Sequence, residues 1–496
     1  MGNAATRSWE RVAAAMGALE SAPIGFQASC DVAQGGVRLA LPALLAAGLL
    51  RRVPELYQLP NGFYGIESVF LLLALMALAR IRSLEQLRYQ APGEWGKLLG
   101  LDRIPEVRTL RAKLKLLCQD MGRALRWNTE LAQEWIARQN DADLYFYCDG
   151  HVRVYHGDQT ALPRHYVARE RLCLRATTDY WVNAMDGQPF LYVNKEVDPG
   201  LIATLTQDVV PWLEANVAKT PEQERRLAED ARAHWFTLVY DREGYSPELF
   251  AQMKKKRIAI LTYRKFPQED RRKEEFQLHS VELAGGETVN MREHYGLDHL
   301  IEYGTEPIPD AVSVVNPAWR KLDGQIRSQA GRRHRQDPTE PQVQGFQRRK
   351  GNLQEEIQVL DLEIAKLKQL RKQTEHHIPV KSLPEADRFT RLRTECKHFI
   401  DTVKMIAYRA ETSMAALLRE HMARGSDDAR VLMRQIFQTE ADLTPDLAAN
   451  TLTVRLHHLT QAAHDQAIEH LLTDLNATQT VFPGTQLTLV FKLGSS

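Results

Sequence analysis

The stretch "LYFYCDGHVRVYHG" (Leu144–Gly157) has the composition of a strand with an acid in its middle. Tyr145, Tyr147, Val152 and Val154 are aromatic and β-branched residues that suit a pleated, half-buried surface. Asp149 interrupts them and Gly150 follows, where an ordinary core strand carries something apolar. A buried carboxylate is costly unless a cation, a set of donors or a metal ion compensates it. What Asp149 faces therefore governs both fold and function.

Downstream, "HWFTLVYDREGYS" (His234–Ser246) has the same anatomy: an apolar, aromatic run leads to Asp241, and a glycine follows within three residues. Between the two lie the strands "LCLRATTDYWVNA" (Leu172–Ala184) and "PFLYVNKEV" (Pro189–Val197), joined as a hairpin through Asp186-Gly187. "GLIATLTQDVVPWLEANV" reads as a helix. After Asp241, "SPELFAQMKKK" is a helix opened by Ser246 as N-cap with Pro247 in its first position. "RIAILTYRK" is one more strand. The order β-β-β-α-β-α-β predicts a mixed sheet with helices, an α/β chain of the α+β kind. This order resembles an RNase H-like sheet, in which the first and fourth strands are neighbours, and the resemblance implies that Asp149 lies beside Asp241. Two carboxylates held close in an apolar sheet repel each other, and divalent cations remove that penalty. Two such ions about 3.5–4 Å apart activate an attacking oxygen and stabilise a leaving one in phosphodiester chemistry. Each aspartate taken singly also suits a turn cap, and His151 and His156 suit turn or surface roles.

Residues 1–140 read as a helical region. "VRLALPALLAAGLL" and "IESVFLLLALMALARI" have the apolar density of packed helices. The longest apolar run, Val69–Ala79, is too short for a membrane span, which needs about 20 residues. In "APGEWGKLLGLDRIPEVRTLRAKLKLL" a short helix, a turn and a second helix follow one another. The second helix has Val107, Leu110, Leu114 and Leu117 on one face, with Arg108, Arg111, Lys113 and Lys115 largely off it. That outline fits a helix-turn-helix entering a major groove, and equally a basic solvated helix in a bundle. Residues 141–320 form the sheet region. Residues 321–390 hold a basic, loop-like run, "RKLDGQIRSQAGRRHRQDPTEP", with Arg332, Arg333 and Arg335 together. A stripe follows at Leu353, Ile357, Leu360, Ile364 and Leu367, which predicts a coiled-coil or helical-hairpin helix. Residues 391–496 close with strand, helix and strand, a small βαβ-like unit. The 496 residues carry a net charge of +1, and the five scattered cysteines, with no C-x-x-C pair, argue against a disulfide framework or a zinc knuckle and for a reducing cytosol.

The sequence resembles a bacterial insertion-sequence transposase of the DDE type, with an RNase H-like catalytic core. The resemblance is carried by "FYCDGHVRVYHG", "MREHYGLDHLIEYG", "VVNPAWRKLD", "KHFIDTVKMIAYRAETSMAALL" and "LNATQTVFPGTQLTLVFKL", and extends over nearly the whole chain. It implies a protein that binds the inverted repeats of its element as double-stranded DNA, cuts there with Mg²⁺ (Mn²⁺ as an alternative) and joins the freed 3′-hydroxyls to a target. It also implies a homodimer or higher synaptic assembly in the bacterial cytoplasm. Asp149 and Asp241 resemble the family's first two acids. The third is a glutamate on the helix after the last core strand, in a Gln-Glu-Asn segment. Here "QLHSVELAGGETVN" runs directly into "MREHYGLDHLI" without that segment. Either the segment is missing or Glu287 or Glu293 substitutes, with Glu293 inside the better helix. The Arg108–Lys115 helix is expected to read the DNA sequence, and Lys254 and Lys255 of "KKKR", with Arg332 and Arg333, to make non-specific phosphate contacts. Two other readings stand beside the enzyme: a transposase-derived DNA-binding protein lacking the third acid, and an interaction protein assembling through the Leu353–Leu367 stripe.

Overall fold

The computed structural model describes residues 7–139, 144–157, 160–167, 170, 172–195, 197–265, 291, 294–295, 305–310, 312–336, 346–422, 426–459 and 464–494. Up to Ala137, apolar residues recur at helical spacing and the chain is mostly helical. The helices are α1 (Ser8–Ala15), α2 (Leu41–Ala46), α3 (Val53–Leu56), α4 (Ile66–Leu78), α5 (Pro92–Leu98), α6 (Val107–Leu117) and α7 (Arg123–Ala137), with a short strand, β1 (Ser29–Val32), among them. α4 is apolar on every side and is buried from Ser68 to Leu78. Among the described residues no helix is long and apolar enough to cross a membrane. α6 buries Val107, Leu110, Leu114 and Leu117, the stripe expected of it. The run Val37–Leu50, expected as one packed helix, is instead a 3-10 turn at Gly35–Ala40 followed by the six-residue α2. Pro42 cannot donate the backbone bond that a continuous helix needs there. Gly36 also lies so close to the Ile436 carbonyl oxygen that a Cβ would stand 1.9 Å from it.

Strands then take over: β2 (Leu144–Val154), β3 (Arg164–Val167), β4 (Leu172–Asn183) and β5 (Pro189–Lys195). β3 is a four-residue strand that the sequence pattern did not signal. After it come α8 (Leu201–Thr204), a π turn (Leu205–Val209), α9 (Val210–Asn216), α10 (Pro221–Glu229), β6 (Phe236–Tyr240), α11 (Pro247–Lys255) and β7 (Ala259–Leu261). Ser246 Oγ accepts the Leu249 N–H and so caps α11 as expected. Later elements are β8 (Thr305–Glu306), β9 (Ser313–Val315), α12 (Pro317–Gln336), α13 (Phe346–Gln373), β10 (His377–Pro379), β11 (Arg391–Leu392), α14 (Glu395–Glu420), α15 (Ser426–Gln438), β12 (Ala441–Asp446), β13 (Thr451–Leu456), α16 (Asp465–Ala477) and β14 (Thr488–Leu493).

The chain divides into two units, both discontinuous in sequence. One comprises residues 1–154, 178–303 and 393–496. Its larger sheet sets β2 between β4 and β6, with β7 beyond β6 and β5 on the far side of β4. β2, β6 and β7 run parallel, while β4 and β5 form the antiparallel hairpin expected from Asp186-Gly187. Its second sheet has the order β1-β12-β13-β14. β13 and β14 are parallel with α16 between them in sequence, the βαβ unit expected at the C-terminus. α14 is the buried helix of this unit. Phe399 on it meets Phe70 of α4 edge-on at 5.1 Å between ring centroids, and Tyr57 and Trp127 complete the cluster. Such ring pairs add about 0.5–1.5 kcal/mol each beyond their buried area.

The second unit comprises residues 155–177 and 304–392. The basic run read as a loop is helical here: α12 extends through Arg320 to Gln336. Asn316 Oδ1 accepts the Ala318 N–H at the start of the helix. Asp323 then pairs with Arg327 one turn on, at 2.9 Å, and with Arg371 of α13. α13 turns Ile364 inward, with Ile357, Leu360 and Leu367 half-buried beside it. The Leu353 side chain lies outside the described residues.

Candidate functional site

β2 and β6 pair in parallel from Leu144↔Phe236 to Cys148↔Tyr240. The next residue on each strand is an aspartate, so Asp149 and Asp241 emerge side by side, on strands that lie about 4.8 Å apart. Burial, and then the charge of Asp241, push the Asp149 carboxyl above its ordinary range, while the Gly150 N–H and His151 pull the other way. Gly150 permits a close approach here: a Cβ on it would meet the Tyr180 ring at 2.9 Å.

Asp241 begins a tight 3-10 turn, Arg242–Gly244, and its Oδ1 accepts the Glu243 N–H at 2.9 Å. Gly244 is required in that turn, because a Cβ would lie 2.5 Å from the Tyr240 ring. Thr262 Oγ1 donates to the Asp241 carbonyl at 2.9 Å and fastens the turn to the residue after β7. The turn brings up a carboxyl that the sequence reading passed over. Burial, then the charges of Asp241, Asp198 and Asp149, raise the Glu243 carboxyl, with Lys265 opposing them. Asp198 is fixed nearby by Tyr180 Oη at 2.6 Å, Thr178 Oγ1 at 3.1 Å and the Gly200 N–H at 2.8 Å. Glu243 was detectable in "DREG" as the residue its own capping aspartate holds in place. Asp198, in "EVDPG", carried no signal beyond a turn.

Glu287 and Glu293 lie outside the described residues. Flanking Glu293, Met291 and Tyr295 are buried, and the Tyr295 hydroxyl donates to Glu411, which Arg80 also grips at 2.7 Å. Among the described residues, the three metal-type ligands that converge within 4.8 Å are Asp31, Asp442 and His457, not Asp149 and its neighbours. Asp442 is already satisfied there, by the Asp31 N–H at 2.9 Å and His457 Nε2 at 3.0 Å.

A family described as a transposase protein matches the chain over residues 2–293 and 289–495. The chain belongs to this transposase family. No curated protein and no solved structure matches it.

The transposase distributes its expected DNA-contacting cations unevenly. On α6, Arg108 and Lys115 are exposed, Arg111 is paired with Glu85, and burial pulls the half-buried Lys113 ammonium down from its usual range. The turn before α6 is locked from beneath. Asp102 takes two bonds from Arg11, at 2.6 and 2.8 Å, and Gly96 admits the Arg103 backbone, to which a Cβ would come within 2.5 Å. Lys254 and Lys255 are exposed on α11. The rest of that basic run is committed elsewhere: Lys256 bonds Glu214 at 2.6 Å, and Arg257 donates to the carbonyls of Ala233, Leu227 and Asp230. On α12, Arg332 is exposed and Arg333 pairs with Asp361 at 2.6 Å, while the Arg335 side chain lies outside the described residues.

Proposed function

We propose that this transposase is of the DDE type, with an RNase H-like core, and that it binds the inverted repeats of an insertion sequence, cuts DNA there and joins it to a target. The observation that carries the reading is the parallel register ending at Cys148↔Tyr240, with an aspartate next on each strand. The neighbour order β5-β4-β2-β6-β7, in which the first and fourth strands of the core lie together, supports it further. So does the raised Asp149 carboxyl beside a second acid, since two carboxylates so close suit a hard divalent cation such as Mg²⁺, or Mn²⁺ in its place. Asp149 and Asp241 are the residues that would hold it. When bound, the metal stabilises the oxygens exchanged at phosphorus. Glu243 adds a third negative charge beside the pair, and Glu293 remains the acid proposed from the sequence. Arg108 and Lys115 are proposed to read the repeats, and Lys254, Lys255 and Arg332 to contact backbone phosphates. A homodimer or larger assembly holding two DNA ends, in the cytoplasm, belongs to the same proposal.

The test is nicking of a DNA carrying the element's own ends, with Mg²⁺ and with chelator. Asp149→Asn and Asp241→Asn should each reduce nicking at least about a hundredfold, the scale of losing one preorganised electrostatic contact. Full nicking in both variants would remove the two aspartates from the chemistry. A second reading, a transposase-derived protein that binds its ends without cutting, draws on the lack of a third carboxylate within 4.8 Å among the described residues. Tight binding of the ends without nicking by the unmodified chain would favour it.

A further inference from the structure

Beside the acid pair, a cavity of about 780 Å³ opens along β7. Its wall is shared with the acid site. Thr262, which bonds the Asp241 carbonyl, lines it, and so does Tyr245, two residues beyond Glu243. The lining separates into two chemistries. Ile258, Ile260 and Phe250 make an apolar floor, with the exposed Leu261 beside it and Tyr245 set edge-on to Phe250 at 5.1 Å. Arg232, Lys254 and Arg264 stand exposed at the rim and make no side-chain ion pair among the described residues. Arg257 also lines the cavity, but its guanidinium is committed to backbone carbonyls. No carboxylate is among the lining residues.

An apolar, aromatic floor under a cationic rim matches one kind of occupant: a planar base on the floor with phosphates at the rim. A duplex end keeps its bases stacked inside and cannot present them to such a floor, whereas a single strand can. The geometry points to a binding site for single-stranded DNA, one or two nucleotides of which sit on Tyr245 and Phe250 while their phosphates meet Arg232, Lys254 and Arg264. The inference rests on the DNA-cutting reading of the neighbouring acids, and gives that site a place to hold the strand separated from the scissile phosphate.

The experiment compares the full-length chain with Arg232→Ala/Lys254→Ala/Arg264→Ala, using a fluorescein-labelled thymidine 12-mer and the same length of blunt duplex, from low to moderate salt. Single-strand affinity should fall at least about tenfold at low salt. The slope of log K against log salt should become shallower by about 2, from roughly 0.7 for each of three lost phosphates. The duplex should lose distinctly less. Unchanged single-strand affinity and slope would overturn the proposal, as would equal losses for both forms, which would mark an ordinary phosphate-attracting surface. A 12-mer carrying 5-iododeoxyuridine supplies a second measurement on the unmodified chain. Photo-crosslinks should map to the segment holding Tyr245 and Phe250, and crosslinks confined to other segments would count against the site. Asp149→Asn/Asp241→Asn separates the two claims. It should keep single-strand binding while losing nicking, so persistent nicking in it would sink the reading of the acids and leave the binding result standing.

Discussion

Asp179 and Asp149 lie on neighbouring strands of one sheet, β4 and β2, and meet opposite surroundings. Asp179 is buried against Lys397 Nζ at 3.0 Å, and Lys397 also bonds Asp401, whose other oxygen faces Lys404 at 3.8 Å. Asn194 donates to Asp179 as well. Burial pushes the Asp179 carboxyl up, but Lys397 and Arg153 outweigh it and hold it at about 2. Asp149 is less deeply buried, yet burial and then the charge of Asp241 raise its carboxyl above the ordinary range, against the opposing pull of the Gly150 N–H and His151. Buried carboxylates with cations built in are finished structure. A pair without them keeps its electrostatic demand open for something that arrives from outside.

The largest effect should come from breaking the compensated cluster. Lys397→Met removes the ammonium shared by Asp179 and Asp401, and also its contact over the Tyr192 ring at 4.3 Å. Two buried carboxylates are then left short of charge, at a cost of about 3–5 kcal/mol in urea unfolding at pH 7. A loss below about 1 kcal/mol would mean that this cluster is no more compensated than the other.

The next effect is in acid. His398 stacks on Tyr192 at 4.7 Å, and burial, with the Lys397 charge, holds its imidazole down to about 4. The unfolded chain takes up that proton from pH 6.5 downwards and the folded chain does not, so stability should fall between pH 6.5 and 4. His398→Phe keeps the stacking and removes the linkage. It should flatten the pH dependence over that window by up to about 3 kcal/mol at pH 4. Parallel pH profiles for the two proteins would locate the acid sensitivity elsewhere.

The smallest effect belongs to the open pair. A carboxyl whose folded pKa lies above the ordinary 3.8 makes the folded chain hold its proton longer, so ionised Asp149 costs stability above that window. Asp149→Asn should therefore raise metal-free stability at pH 7 by about 0.2–1 kcal/mol, the range for cross-strand pairs, and the gain should shrink as the pH falls toward 3.8. Destabilisation at pH 7 would put Asp149 in the same class as Asp179.

Much of the path to the site was legible in the chain. The aromatic runs leading into Asp149 and Asp241, and the hairpin at Asp186-Gly187, carry local signals that survive into the sheet. Other features are made by contacts between distant residues. Nothing near Lys397 announces that it neutralises Asp179, and Asp198 enters through the Tyr180 hydroxyl rather than through any pattern of its own. α12 was obscured for a different reason. Gly324, Gly331 and a dense basic charge mimic a loop, while the ion pairs of Asp323 with Arg327 and with Arg371 of α13 sustain the helix. Gly36, in the 3-10 turn that replaces the first part of the expected helix, likewise meets the backbone of Ile436, some four hundred residues away.

The most direct measurement is a calorimetric melt of the full-length chain across a Mg²⁺ titration, beside Asp149→Asn/Asp241→Asn. A ligand that binds only the folded state raises the melting temperature as its concentration passes its dissociation constant. The unmodified chain should gain stability with added Mg²⁺ and the double variant should gain none. An equal rise in both proteins, or no rise in either, would contradict a divalent-cation site at Asp149 and Asp241.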